Sequence, residues 1–196
     1  MRCNILGVFC MVGLLFLAAC AQEYTFEQGF KDMRKIDEKY SINFHREKLN
    51  GTMVKMELVN EVLRDLEELE QKVKKKQGTE VQDVLDLITV RKKMIESQRY
   101  WILAKQIGPQ GVTRDGFTCA DALEVREATL YYAQSWQYAI DAQRLLDEIL
   151  ARNLASWEFI GTDREKPEFY RSKLDYIAED IRFNIINMRE TCKIVL

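Results

Sequence analysis

The chain is 196 residues long, with 29 Lys and Arg against 31 Asp and Glu for a net charge of −2. Acids and bases are interspersed and nearly balanced, which argues against nucleic acid as a partner, because that binding draws on clustered Lys and Arg. The length suits one domain that buries its own core, and two prolines and nine glycines leave long stretches of Leu, Glu, Lys, Gln, Arg and Ala that favour helix throughout.

In chain order, Arg2 precedes an apolar run from Ile5 to Leu17. A run of about thirteen residues is too short to span a bilayer, which takes roughly twenty, so it reads as the core of a removable export signal. It ends in Leu17-Ala18-Ala19-Cys20, which resembles the lipobox of prokaryotic membrane lipoproteins, where small residues precede a Cys whose thiol takes the lipid before cleavage on its N-terminal side. The resemblance covers about a tenth of the chain. It implies a signal peptide over 1–19, a lipid on Cys20, a short tether over 20–25 and a bundle domain over 26–196, exported and held on the extracytoplasmic side of a membrane. Ala19-Cys20-Ala21 also satisfies a small-x-small cleavage rule, so a soluble, secreted form cut after Ala21 stays open.

Phe26, Phe30, Met33, Ile36 and Tyr40 predict a first helix, although Tyr40, Ile42 and Phe44 alternate as a strand would. This first helix is expected to end near Asn50-Gly51, and Asn50-Gly51-Thr52 is the only glycosylation sequon, at Asn50. From Met53 to Lys76, Val59, Val62, Leu66, Leu69 and Val73 draw one helical stripe, with Asp65, Glu67, Glu68 and Glu70 on the solvated side and Gly78 available as a left-handed cap. Thr79-Glu80-Val81-Gln82 then reads as a capping box for a third helix. Its broad apolar face holds Val81, Val84, Leu85, Ile88, Ile95 and Ile102, with Leu87, Met94, Trp101 and Ala104 beside them. Gly108-Pro109-Gln110-Gly111 stops it. A fourth helix is predicted from Cys119 to about Asn153, its seam running through Ala122, Val125, Thr129, Tyr132, Trp136, Ala139, Gln143, Leu146 and Leu150. The last helix opens at Pro167 and repeats the rule at Tyr170, Leu174, Ile177, Ile181, Asn184, Met188 and Thr191.

Short connections between long helices predict an all-α, up-and-down antiparallel bundle of four long helices plus the N-terminal helical segment. Cys119 and Cys192 fall at one end of the last antiparallel pair, and in an oxidising exterior they are expected to form a disulfide, two free buried thiols being the alternative.

Site chemistry is sparse. The single histidine, His45, excludes the paired Glu-x-x-His signature of di-iron bundles, and no nucleophile elbow, phosphate loop or dinucleotide fingerprint occurs. The expectation is a non-catalytic protein with no metal and no cofactor, joined to a membrane by its lipid and to an unknown envelope or surface protein at its distal end. On that end, Val112, Arg114 and Phe117 sit on a glycine-flexed loop free to make the contact. A small-ligand binder with a cavity around Trp101, Tyr132, Trp136 and Tyr170 is the second reading.

Overall fold

A computed structural model describes residues 23–42, 55–107, 122–152 and 167–192. Among them are five α-helices and no strand: α1 (Phe26–Lys39), α2 (Val59–Val73, preceded by a 3-10 turn over Met56–Leu58), α3 (Val81–Ile107), α4 (Ala122–Ala151) and α5 (Pro167–Cys192). Cross-helix pairs fix their directions. Lys39 and Tyr40, at the end of α1, meet Asp65 in α2, while Tyr24, before its start, meets Gln77 beyond the end of α2, so these two run antiparallel. Lys92 reaches back from α3 to Glu70, Lys93 of α3 pairs with Asp141 of α4 and Asp83 of α3 with Arg152 just past the end of α4, and α5 sets Asp175 against Gln143 and Asp180 near Tyr132 of α4. Each helix thus reverses its predecessor. The fold is the antiparallel bundle that the short connections dictate.

α3 is its centre, packed against α1 and α2 on one side and α4 on another. Val84, Ile88 and Ile95 are fully buried, and so are Leu87, Val90 and Met94 on the adjoining face. The stripe of α2 is buried as its spacing requires, from Val59 through Val62, Leu66 and Leu69 to Val73. Its acidic neighbours divide. Glu67 and Glu68 are solvated, but Asp65 takes bonds from Lys39 and Tyr40, and Glu70 from Lys74 and Lys92, because both flank the stripe where it meets α1 and α3.

The seam between α3 and α4 is the tightest. Ser97 and Ser135, both fully buried, exchange bonds: Ser97 Oγ donates to the Ser135 carbonyl at 2.9 Å, and Ser135 Oγ to that of Ser97 at 2.6 Å. An antiparallel register through this pair sets Val90 opposite Ala142 and Ala104 opposite Ala128, a layer of small residues every seventh position that lets the backbones approach. The expected seam of α4 is therefore corrected in part. Thr129, Tyr132, Ala139 and Leu146 are buried as expected, and Ala128, Ser135, Ala142 and Ile149 join them, while Gln143 is only half-buried and Trp136 is 46% exposed. Small residues carry little hydropathy, so the large indole drew the stripe toward itself.

Three terminal signals also resolve differently. Gly78 lies beyond the turn that ends α2; both its φ of +152° and the close approach of the Tyr24 carbonyl oxygen, 2.8 Å from where a Cβ would stand, call for glycine. Glu80, not Thr79, directly precedes α3, its carbonyl accepting Val84 N–H at 3.1 Å, and the Gln82 amide runs forward to Asp86 rather than back as a capping box requires. A side-chain N-cap does form at Thr25, whose hydroxyl accepts Gln28 N–H at 3.2 Å, although the Gln28 amide also runs forward, to Asp32. Lastly, Tyr40 and Ile42 belong to a helix end and not a strand. Ser41 adopts φ +52°, with Ser41 N–H bonded to the Glu38 carbonyl and Ile42 N–H to that of Asp37, the Schellman pattern normally built on glycine. Ser41→Gly is expected to raise stability by about 0.5–1 kcal/mol in denaturant titration, the relieved left-handed strain exceeding the added freedom of the unfolded chain. A lower denaturation midpoint would contradict that geometry.

Candidate functional site

Every large apolar side chain left exposed among the described residues lies on the last two helices: Leu123, Leu130, Trp136 and Ile140 on α4, and Tyr176, Phe183 and Ile186 on α5. Helical geometry explains the α5 set. Leu174 and Ile181 turn into the core, and two residues on, about 200° round the helix, Tyr176 and Phe183 must turn out. Phe183 is 56% exposed. Nothing comparable occurs among the described residues of α1, α2 or α3, so the exposed apolar side chains belong to α4 and α5.

Beneath this face, α5 is fastened to α3 by one carboxylate. Asp180 Oδ2 accepts Trp101 Nε1–H at 2.6 Å, the Asn184 amide at 3.2 Å, and lies 3.3 Å from the Lys105 ammonium, which itself stacks 3.9 Å from the Trp101 ring centre. Tyr132 is buried beside it, and burial, with the Asp180 charge as the second cause, pushes its phenol well above the ordinary tyrosine range. Trp101 and Tyr132 are thus brought into one layer, as the ligand-cavity reading needs, whereas Trp136 turns to solvent and the side chain of Tyr170 is outside the described set. On the α3–α4 surface Tyr100 stacks on both Tyr131 and Tyr138, at ring-centre distances of 6.0 and 5.6 Å; the heptad spacing of the two α4 tyrosines was the available signal for this ladder.

At the opposite end, the Asp32 carboxylate is buried at the start of the bundle. Burial alone would raise its pKa, but bonds from Lys35, Tyr24 and Gln28 outweigh it and hold the group below the ordinary Asp value. A lowered folded pKa contributes stability that is present above the unfolded value and lost as pH falls through the folded one. Asp65, Glu70 and Asp141 act in the same direction, while Asp83, raised chiefly by burial, opposes them. The melting temperature should therefore fall as pH drops below about 4, and Asp32→Asn should flatten that dependence. An unchanged profile in the variant would remove Asp32 from the account.

Cys20, Asn50, Val112, Arg114, Phe117 and Cys119 lie outside the described residues, as does His45; Cys192 is the last residue of α5, with its side chain outside them too. Among the described residues no three His, Cys, Asp or Glu side chains converge as a metal site, and no helix is long and apolar enough to cross a membrane. The fold and surface define an antiparallel helical bundle whose exposed large apolar side chains, among the described residues, are carried by α4 and α5. Comparison with protein-family models, with curated proteins and with solved structures found no match.

Proposed function

We propose that this is an exported, lipid-anchored, non-catalytic bundle that binds another envelope or surface protein through the outer side of α4 and α5. The observation that supports this reading is the exposure of Tyr176, Phe183 and Ile186 on α5 and of Trp136 and Ile140 on α4, since several large apolar side chains left in water on two neighbouring helices favour a partner. This moves the expected contact from the loop of Val112, Arg114 and Phe117 onto a helical face. Export and the lipid on Cys20 rest on the lipobox resemblance. Pairing of Cys119 with Cys192 draws support from the antiparallel course of α4 and α5, which puts the start of one and the end of the other at the same end of the bundle.

Photo-crosslinkers placed singly at Phe183, Trp136, Phe117 and, as a charged control, Glu61 test the contact in the source cells. Adducts with a second protein at Phe183 and Trp136, lost on Phe183→Asp, are expected. Adducts only at Phe117 would return the contact to the loop, and adducts of the chain with itself would replace the partner by a second copy. Mass spectrometry of the mature chain tests the anchor separately: a diacylated N-terminal Cys20 is expected, and a chain starting at Gln22 would overturn it. Titration of the unreduced protein should find no thiol on Cys119 or Cys192.

A further inference from the structure

The last turn of α2 and the turn after it carry four lysines, Lys72, Lys74, Lys75 and Lys76, all exposed. The fold sets this turn against the beginning of the described chain. Tyr24 N–H donates to the Gln77 carbonyl at 3.0 Å, Gly78 packs on the Tyr24 backbone, and the Lys76 ammonium sits 5.9 Å from the Tyr24 ring centre. Cys20 precedes Glu23 by three residues, a span of at most about 10 Å even fully extended. Acyl chains on Cys20 would therefore enter a membrane beside the lysine turn.

Charge at this end is uneven in a way that matters for such a surface. Lys74 is held by Glu70, 2.6 Å away, but among the described residues no carboxylate lies within ion-pair distance of Lys72, Lys75 or Lys76. Several nearby acids are engaged inside the protein: Glu80 accepts Phe26 N–H at 2.7 Å, Asp83 and Asp86 both pair with Arg152, and Glu70 also accepts Lys92, whereas Glu23 and, further back on α2, Glu67 and Glu68 are exposed.

We propose that Lys72, Lys75 and Lys76 form an electrostatic footing that presses the tethered end of the bundle onto an anionic membrane surface. The inference deepens the anchored reading and rests on it for the position of the bilayer. A lysine near an anionic leaflet is worth about five-fold in partitioning, so three give roughly a hundredfold, and they hold the bundle axis away from the membrane plane with α4 and α5 accessible along its side. Such a footing complements acylation, since a single chain alone binds marginally.

The test uses two forms of the mature chain, the acylated protein and a soluble Cys20→Ser form, with vesicles of phosphatidylcholine alone or containing about a third phosphatidylglycerol. The soluble form is expected to partition onto the anionic vesicles roughly a hundredfold better than onto neutral ones, to release at about 0.5 M salt, and to lose the preference in K72Q/K75Q/K76Q. The control R126Q/R182Q/R189Q, on exposed arginines of α4 and α5 toward and at the opposite end, should keep it. For the acylated protein, the lysine triple should speed transfer between anionic vesicles and leave transfer between neutral ones unchanged. No lipid preference in the soluble form, or equal loss in both triples, overturns the footing whatever Cys20 carries. Loss confined to the lysine triple with an N-terminus that lacks acyl chains would sustain the footing and overturn the anchor instead. Circular dichroism melts of each triple confirm that folding is unchanged, as expected for fully exposed side chains.

Discussion

Asp37→Leu should lower the unfolding free energy by about 3 kcal/mol, the largest loss expected from any single charge removal among the described residues. Arg91 sits on the core face of α3 with 5% of its side chain exposed, and its Nη1 donates to Asp37 Oδ2 of α1 at 2.8 Å. Asp37, at 20% exposure, is the wetter partner, so the two single removals are unequal. Taking away the carboxylate leaves a guanidinium in the core that cannot shed its proton, whereas Arg91→Met leaves a carboxylate that reaches water and should cost only about 1–2 kcal/mol. The double variant Asp37→Leu/Arg91→Met should recover to within about 1 kcal/mol of the parent, because apolar side chains of similar size replace a desolvated pair at little net loss. Denaturant midpoints for the four members of the cycle decide it. Equal, small losses for both single variants would mean the pair is solvated and contributes no more than a surface bridge.

Ser135→Leu is the second large effect. The site admits no added volume: Ser135 and Ser97 are fully buried where α3 and α4 come closest, each hydroxyl bonded to the other helix's backbone. Three extra carbons must separate the helices along a seam whose neighbouring layers are Ala142 and Ala128, and overpacking of this kind costs about 3 kcal/mol at the upper end of its range, with the Ser97 carbonyl losing its donor besides. Two companions separate volume from hydrogen bonding. Ser135→Ala should lose about 1 kcal/mol, and Ser97→Ala/Ser135→Ala little more than that, since alanine preserves the close approach. A Ser135→Leu protein that melts with the alanine variant would show the seam to be looser than its hydrogen bonds require.

Gly29 shows why such contacts resist reading from sequence. It lies inside α1, where helix propensity alone makes Gly→Ala favourable by about 1 kcal/mol. In the fold, a Cβ there would collide with both methyl groups of Val84, a fully buried side chain of α3 that has little freedom to move. Packing reverses the sign that propensity assigns.

What the sequence determined by itself was set by near-neighbour physics. The stripe of α2 from Val59 to Val73, the stop after α3 and the all-α class follow from the helical period and from proline and glycine, and the alternation of direction from connections that favour adjacent antiparallel helices, whereas the end of α1, expected near Asn50-Gly51, comes at Lys39 on a Ser41 cap. The absence of familiar catalytic spacings was also legible, as was the lipobox resemblance. Tertiary structure alone decided the rest. Which row of α4 faces inward depends on the volume available beside α3, and there Ser135 and Ala142 win over Trp136 because only small side chains let two backbones meet. Which acids are solvated depends on what lies across from them, so Asp65 and Glu70 became fasteners and Glu67 and Glu68 did not. The apolar side of α4 and α5, and the placing of the lysine turn beside Tyr24, arise from residues dozens of positions apart. Periodicity says that a helix has a face; the choice of neighbour belongs to the fold, because burial is a property of pairs of surfaces.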